Sequence, residues 1–289
     1  MRLAILADVH GNVAALEAVI ADLEQRDVDA VWVGGDLVGR GPEGRAVVER
    51  IRGLGWPTLA GNHEEYLLDF HHGRTPAEWQ GLEEWDASRW MAAEIDGESY
   101  RYLEALPFSL DHQGLRLVHG TPKSNRHGIA PWTRDDEIVG HLASVEESLL
   151  VCAHTHRPLD RTFAEGRVVN IGSVGMPFDR DPRARYGIFS RSEDTWDFES
   201  IRVEYDRQAI FRAYERTGFL AAGGVTARLL RLELEHATPI LVPFIEWARH
   251  LGKAPTTALL DDFFAVFDPE RPLREFIDRM RDGVAPAGR

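Results

Sequence analysis

Two histidines stand two positions apart in the run VCAHTHRPL, Val151 to Leu159, at the end of an apolar stretch that reads as a strand. Alternate residues of a strand point to one face. The spacing therefore predicts that His154 and His156 look the same way, with Cβ atoms about 6.5–7 Å apart, enough to serve one metal ion each. Other strand-like stretches close on similar residues. The first ends in ADVHGN with Asp8 and His10, and the second in GGDLVGRGPEG with Asp36 and Arg40. The third ends in AGNHEE with Asn62, His63 and Glu64, and a later one in VHGTP with His119. Each piece alone is ordinary, since an Asp after a strand is commonly a helix cap and a buried His a hydrogen-bonded core residue. Five strand ends that each finish in a carboxylate, carboxamide or imidazole beside small residues form a pattern.

Oxygen and imidazole donors without thiolate suit Mn²⁺, Fe, Zn²⁺ or Ni²⁺ rather than a cysteine-based structural zinc. Asp8, His10, Asp36, Asn62, His119, His154 and His156 are too many for one ion. They fit two ions about 3.5–4 Å apart that share one carboxylate. Two divalent ions, two aspartates and a bridging hydroxide leave the cluster at roughly +1. Arg40 adds a planar fork suited to phosphate oxygens. Such a cluster is suited to hold a phosphoryl group and attack it with metal-bound hydroxide.

The elements that must position these residues begin with an alternation of strands and helices. RLAILAD, AVWVGGD and WPTLAGN read as strands, NVAALEAVIADLEQR and EGRAVVERIRGLG as helices, and a further helix is expected near Glu64. This βαβαβ order predicts a mostly parallel sheet with right-handed crossovers, its ligands at the carboxyl ends of the strands. An acidic helical segment with Trp79, Trp85 and Trp90 follows from Glu65 to about Leu106. Strand-like pieces return at LRLVHG, SLLVCAH, RVVNIGSVG, YGIFS and IRVEY. A helical tail runs from Asp206 to about Arg281, interrupted by Pro239, Pro243, Pro255, Pro269 and Pro272, and the closing GVAPAGR is expected to be loose. The predicted units are a catalytic domain over 1–205 with a helical insert at 65–106, and a helical extension over 206–289. The tail is open to three roles: covering a sheet, shaping the pocket, or pairing with another subunit as a homo-oligomer.

The bulk composition narrows the partners. No apolar run in the 289 residues reaches the roughly 18 of a membrane span, and MRLAILADVHGN does not read as a signal peptide. A single cysteine, Cys152, excludes an internal disulfide framework and suits the cytoplasm. A formal charge of −14 argues against tracking an extended nucleic acid, while a phosphate-ester small molecule or nucleotide stays compatible because bound cations reverse the local sign. His71 and His72 are read as a solvated face, and His127 with Lys123 and Arg126 as a surface loop or a substrate contact. The three tryptophans and Cys152 are read as packing residues.

The motifs resemble those of the calcineurin-like metallophosphoesterase superfamily: Asp8-Val9-His10, Gly35-Asp36, Gly61-Asn62-His63-Glu64, His119 and Ala153-His154-Thr155-His156. The resemblance implies an α/β fold, a four-layer αββα sandwich of two mixed sheets with the metals at the sheet edges. It implies one ion on Asp8, His10, Asp36 and His156, and a second on Asp36, Asn62, His119 and His154, with Mn²⁺ the leading metal. His63 would protonate the leaving oxygen or stabilise the transition state, and Arg40 would hold substrate phosphate. GDLVGRGP and GNHE resemble the serine/threonine phosphatase and diadenosine tetraphosphatase branch. AHTH and NIGSVGMP are more similar to small bacterial phosphodiesterases. Gly39 stands where the first branch keeps an aspartate that orients the catalytic histidine, which leaves Glu64 or Asp69 to orient His63. The expected activity is hydrolysis of a phosphodiester. Protein phosphatase, dinucleotide polyphosphate hydrolase and a non-catalytic scaffold of the same fold are the alternatives.

Overall fold

The computed structural model describes residues 1–193 and 195–281. The chain opens with β1 (Arg2–Leu6), α1 (Val13–Leu23), β2 (Ala30–Val33), α2 (Gly44–Leu54) and α3 (Asn62–His71). After α4 (Asp86–Glu94) and α5 (Gly97–Glu104) come β3 (Ser109–His112), β4 (Leu115–Val118), α6 (Asp135–Leu142) and β5 (Leu149–Cys152). Then follow β6 (Leu159–Phe163), β7 (Gly166–Asn170), β8 (Ala184–Ser192) and β9 (Thr195–Val203). The tail supplies α7 (Arg207–Arg216), α8 (Phe219–Ala222), α9 (Gly224–His236), α10 (Leu241–His250), α11 (Leu260–Phe264) and α12 (Leu273–Arg281).

The strands form two mixed sheets, ordered β2-β1-β8-β9 and β3-β4-β5-β7-β6. β1 pairs parallel with β2 and antiparallel with β8, while β5 lies parallel between β4 and β7. Side-chain alternation decides the layering. In β1, Leu3 and Ile5 join Leu115, Leu117, Leu149 and Val151 in a core between the sheets. Ala4 and Leu6 face the other way, onto Leu16, Val19 and Val47 of the helical layer. On the far sheet Leu150, Cys152 and Val168 pack outward under Ile138 and Leu142 of α6. The result is the expected helix–sheet–sheet–helix sandwich.

The stretch WPTLAGN is not a third strand of the first sheet. Its contact with β2 is a single parallel bridge, Val33 to Thr58. β2 has already ended, and the Ala60 amide turns to the Pro107 carbonyl, 2.9 Å away. Two edge strands, β3 and β6, were not anticipated, because their half-exposed residues carry little apolar alternation. The segment GVAPAGR lies outside the described residues.

Helices α7 to α9 place Ile210, Tyr214, Phe219 and Leu230 in the same core as α1 and α2. The opposite side of α9 turns Val225 and Leu229 to a separate cluster with Phe244, Trp247, Phe263 and Phe267. α9 thus joins the tail to the catalytic layers. No described helix is long and apolar enough to cross a membrane.

Candidate metal centre

The chain brings its site residues together by abrupt turns at the strand ends. Asp8, His10, Asp36, Arg40, His154 and His156 all adopt positive φ, between 50° and 64°. They account for six of the ten non-glycine residues in that region among the described residues. Such backbone costs about 1–3 kcal/mol per residue and gathers at functional sites. It also changes the reading of the histidine pair. β5 stops at Cys152, so His154 and His156 do not share a strand face but reach inward from a left-handed loop. Asn170 pins that loop, its amide donating to the Ala153 carbonyl (2.7 Å) and the Thr155 hydroxyl (3.0 Å).

Two pockets result. Asp8, His10, Asp36 and His156, all buried, offer ligand atoms within 4.8 Å of one another. In the neighbouring pocket, Asn62 Oδ1 lies 2.9 Å from His119 Nε2 and 2.7 Å from His154 Nδ1. Asp36 Oδ2 belongs to both, 3.6 Å from His10 Nε2 and 3.3 Å from His119 Nε2.

The donor chemistry shows that cations fit here. His10 Nδ1 is 3.1 Å from the Val38 carbonyl and His156 Nδ1 is 2.6 Å from that of Met176. A carbonyl only accepts, so both Nδ1 atoms carry the proton. Burial, the largest influence on each, holds both rings well below the ordinary imidazole value, hence neutral. Their Nε2 lone pairs therefore face each other at 2.9 Å. His119 Nδ1 likewise donates to the Gly34 carbonyl at 2.9 Å, which turns its Nε2 toward two oxygen acceptors. Asp8 Oδ1 is buried with no hydrogen-bond partner. Burial pushes the Asp8 carboxyl well above its usual range, opposed by His119 and reinforced by Asp36. For His119 burial acts downward, but the Asp36 and Asp8 charges outweigh it and raise the ring to about 10.

Glu64 has a different role from the one its position beside His63 suggested. Its carboxylate accepts the amides of Asp36 (2.8 Å), Leu37 (2.8 Å) and Gly61 (2.7 Å), with Val38 at 3.3 Å. It ties the GD loop to the start of α3 and does not orient the His63 ring. Asp69 is also committed elsewhere, to Arg74 and Arg126. Gly61 permits the close approach, since a Cβ there would sit 2.2 Å from Asp36 Oδ1. Orphaned buried amides cost about 1–3 kcal/mol each. Glu64→Ala should therefore lose at least about 3 kcal/mol in chemical denaturation, and a loss under about 1 kcal/mol would contradict this role.

His63 follows Asn62 in the first turn of α3, its ring edge-on to His10 with centroids 5.0 Å apart. Burial lowers it to about 4, with Asp36 opposing and Arg40 adding to the fall. The position of its ring depends on Gly39. There φ is +79°, and an added Cβ would stand 2.2 Å from His63 Nδ1. The glycine in place of an aspartate thus leaves the space in which the ring sits. Gly39→Ala should reduce phosphodiester turnover at least about tenfold by displacing His63, with metal content by elemental analysis unchanged. Wild-type turnover would show that the ring position is immaterial.

Arg40 does reach the site, but not as a free cation. Its Nη1 donates to Glu233 Oε2 of α9 at 2.8 Å, and its guanidinium lies 5.6 Å from the Phe178 ring centroid. Glu233 is fully buried and also accepts the amides of Ile240 and Leu241 at 2.7 and 2.8 Å. A cleft of about 340 Å³ adjoins Arg40, Asn62 and His63, walled by Tyr66 and Trp85 on one side and Leu230 and Ile245 on the other. Trp85 stacks on Trp79 with centroids 3.7 Å apart, while Trp90 packs on Phe219. Trp85 is therefore a cleft residue as well as a packing one. Arg126 pairs with Glu65 and lies over the Tyr66 ring. His72 meets Glu104 and His71 stacks on Tyr100, away from the metal pockets. Cys152 is buried, its thiol raised to about 12 by burial.

Glu64, Asn170 and Glu233 were not singled out for these roles by sequence reasoning. Glu64 and Asn170 sit within motif-like runs that offered a signal. Glu233, 193 residues from its partner, offered none.

The two-sheet sandwich and the carboxylate–imidazole cluster are those of a phosphoesterase. Residues 1–194 match the calcineurin-like phosphoesterase superfamily domain, and the chain belongs to that superfamily. An uncharacterized protein of Methanocaldococcus jannaschii is 30% identical over 231 residues, 74% of this chain and 90% of that protein. A metallophosphoesterase of Sphaerobacter thermophilus has a similar structure, with TM-score 0.64 and 29% identity, covering 77% of this chain and 99% of that one. A hypothetical protein of Pyrococcus horikoshii OT3 gives TM-score 0.69 and 26% identity, covering 83% and 99%. The symmetrical bis(5'-nucleosyl)-tetraphosphatase of Psychromonas ingrahamii is 38% identical over 73 residues, 24% of this chain and 26% of that enzyme.

Proposed function

We propose that this chain is a binuclear-metal phosphodiesterase of the cytoplasm, with Mn²⁺ its leading metal. The observation that carries the reading is the position of Asp36 Oδ2, within 3.6 Å of His10 Nε2 and 3.3 Å of His119 Nε2, as a carboxylate shared by two pockets. Asp8, His10 and His156 would complete one coordination set with it, and Asn62, His119 and His154 the other. Divalent ions held there would polarise the phosphoryl oxygens and acidify a water at neutral pH.

The chain's own residues supply the rest. The backbone carbonyls of Val38, Met176 and Gly34 accept from Nδ1 of three imidazoles, which turns each Nε2 toward the pockets. His63 sits beside the pockets without belonging to either and is placed to donate a hydrogen bond to the reacting phosphoryl group. Arg40 contacts the phosphate from the cleft side. Its pairing with Glu233 leaves little net positive charge there, which suits the single charge of a diester better than the dianion of a monoester. In this reading residues 1–205 form the catalytic unit with its insert at 65–106, and residues 206–289 form an extension that shapes the cleft.

The local likeness to symmetrical bis(5'-nucleosyl)-tetraphosphatases, with the resemblance of GDLVGRGP to that branch, supports a second reading, dinucleotide polyphosphate hydrolysis. The deciding experiment is Mn²⁺-supplemented hydrolysis of bis-nitrophenyl phosphate beside nitrophenyl phosphate and a dinucleoside tetraphosphate. Preferential diester turnover supports the proposal. Preference for the tetraphosphate or the monoester would replace it.

A further inference from the structure

The cleft beside the metal pockets has walls from two parts of the chain. Tyr66 comes from α3, Trp85 and Met91 from the segment that follows it, and Leu230, Val242 and Ile245 from the tail. The tail lies outside residues 1–194 that match the superfamily, so this wall is a feature of the chain's extension rather than of the matched domain.

Three properties of the cleft bear on what it holds. Its volume of about 340 Å³ is near the low end of small-molecule pockets, which span about 300–1,000 Å³. It has room for one ring-bearing group. Most of its lining surface is apolar, though polar and charged side chains share it, and Val242 is 47% exposed there, one of five large exposed hydrophobic residues among those described. Each of its cations has a carboxylate partner, Arg40 with Glu233 at 2.8 Å and Arg249 with Glu84 at 3.0 Å, and Arg40 Nε alone is left without one. Glu246 adds a further acid. A polyphosphate chain would meet surplus negative charge, whereas an uncharged ring would cover apolar surface.

We propose that this cleft is the subsite for the ester group of the substrate that does not depart, and that it takes an uncharged nucleoside rather than a chain of further phosphates. The proposal rests on the phosphodiesterase reading above and narrows its substrate class.

The test compares two diesters with the same leaving group, thymidine 5'-(4-nitrophenyl phosphate) and methyl 4-nitrophenyl phosphate, on the full Mn²⁺-loaded chain. The nucleoside ester should show at least about tenfold higher kcat/KM, equivalent to about 1.4 kcal/mol. Val242→Asp and Ile245→Asp should each bring the ratio of the two esters close to one. The Val242 position is half-exposed in the first turn of α10, where an acid suits the helix dipole, so that variant should fold. Equal turnover of the two esters by wild type, or a preference that survives both substitutions, overturns the proposal. If neither ester reacts, the phosphodiesterase reading fails, and calorimetry with thymidine alone decides the subsite. Binding weakened at least about tenfold by Val242→Asp upholds it, and no binding to wild type overturns it.

Discussion

Asp36→Asn is expected to abolish metal binding in both pockets and lower phosphodiester turnover by about a thousandfold or more. The substitution nearly preserves shape. The carboxamide oxygen can still accept the His63 amide that Asp36 Oδ1 accepts at 2.9 Å, so the first turn of α3 stays in place. It removes the negative charge from the one side chain that stands within 3.6 Å of an imidazole nitrogen in each pocket. Loss of an unshared ligand would spare one ion, whereas loss of the shared carboxylate weakens both. Elemental analysis after dialysis against Mn²⁺ measures this directly. Retention of two ions per chain by Asp36→Asn would remove the shared-ligand account.

His63→Ala should produce the opposite combination, turnover reduced by about 10²–10⁴ with metal content near that of wild type. The ring belongs to neither pocket. The contact with Asp36 runs through the His63 backbone amide and survives in alanine. With the ring lowered to about 4 by burial, it meets substrate at neutral pH as a neutral imidazole that donates a hydrogen bond. In the proposed reading this favours transition-state stabilisation over proton delivery, the two roles the resemblance implied. Loss of metal together with turnover would make His63 a structural residue instead.

The site was legible in the sequence to the extent that its chemistry is concentrated at strand ends. Asp8, His10, Asp36, Asn62, His119, His154 and His156 each follow a short apolar run, and the structure draws all seven into adjoining pockets. The manner of their convergence was not legible. Period-two alternation places His154 and His156 on one strand face, whereas the chain leaves β5 at Cys152 and turns through positive φ at both residues. No periodicity encodes such turns, and the residues involved are not glycines. Glu64 reads as a neighbour of His63, yet its carboxylate is taken up by backbone amides from residues 36–38 and 61. The tail was legible as helices, with shaping the pocket one of three roles left open. The Arg40–Glu233 pair joins positions with no local pattern in common, and only the packing of α9 against the catalytic layers brings them within 2.8 Å.

The most direct test of the central claim counts ions and turnover together. Metal-free chain is titrated with Mn²⁺, and bound metal per chain is measured beside hydrolysis of the bis-nitrophenyl diester at each point. The shared position of Asp36 predicts saturation at two ions per chain, with turnover rising as the second is taken up. Saturation at one ion, or full turnover in the presence of a strong chelator, would contradict a binuclear phosphodiesterase.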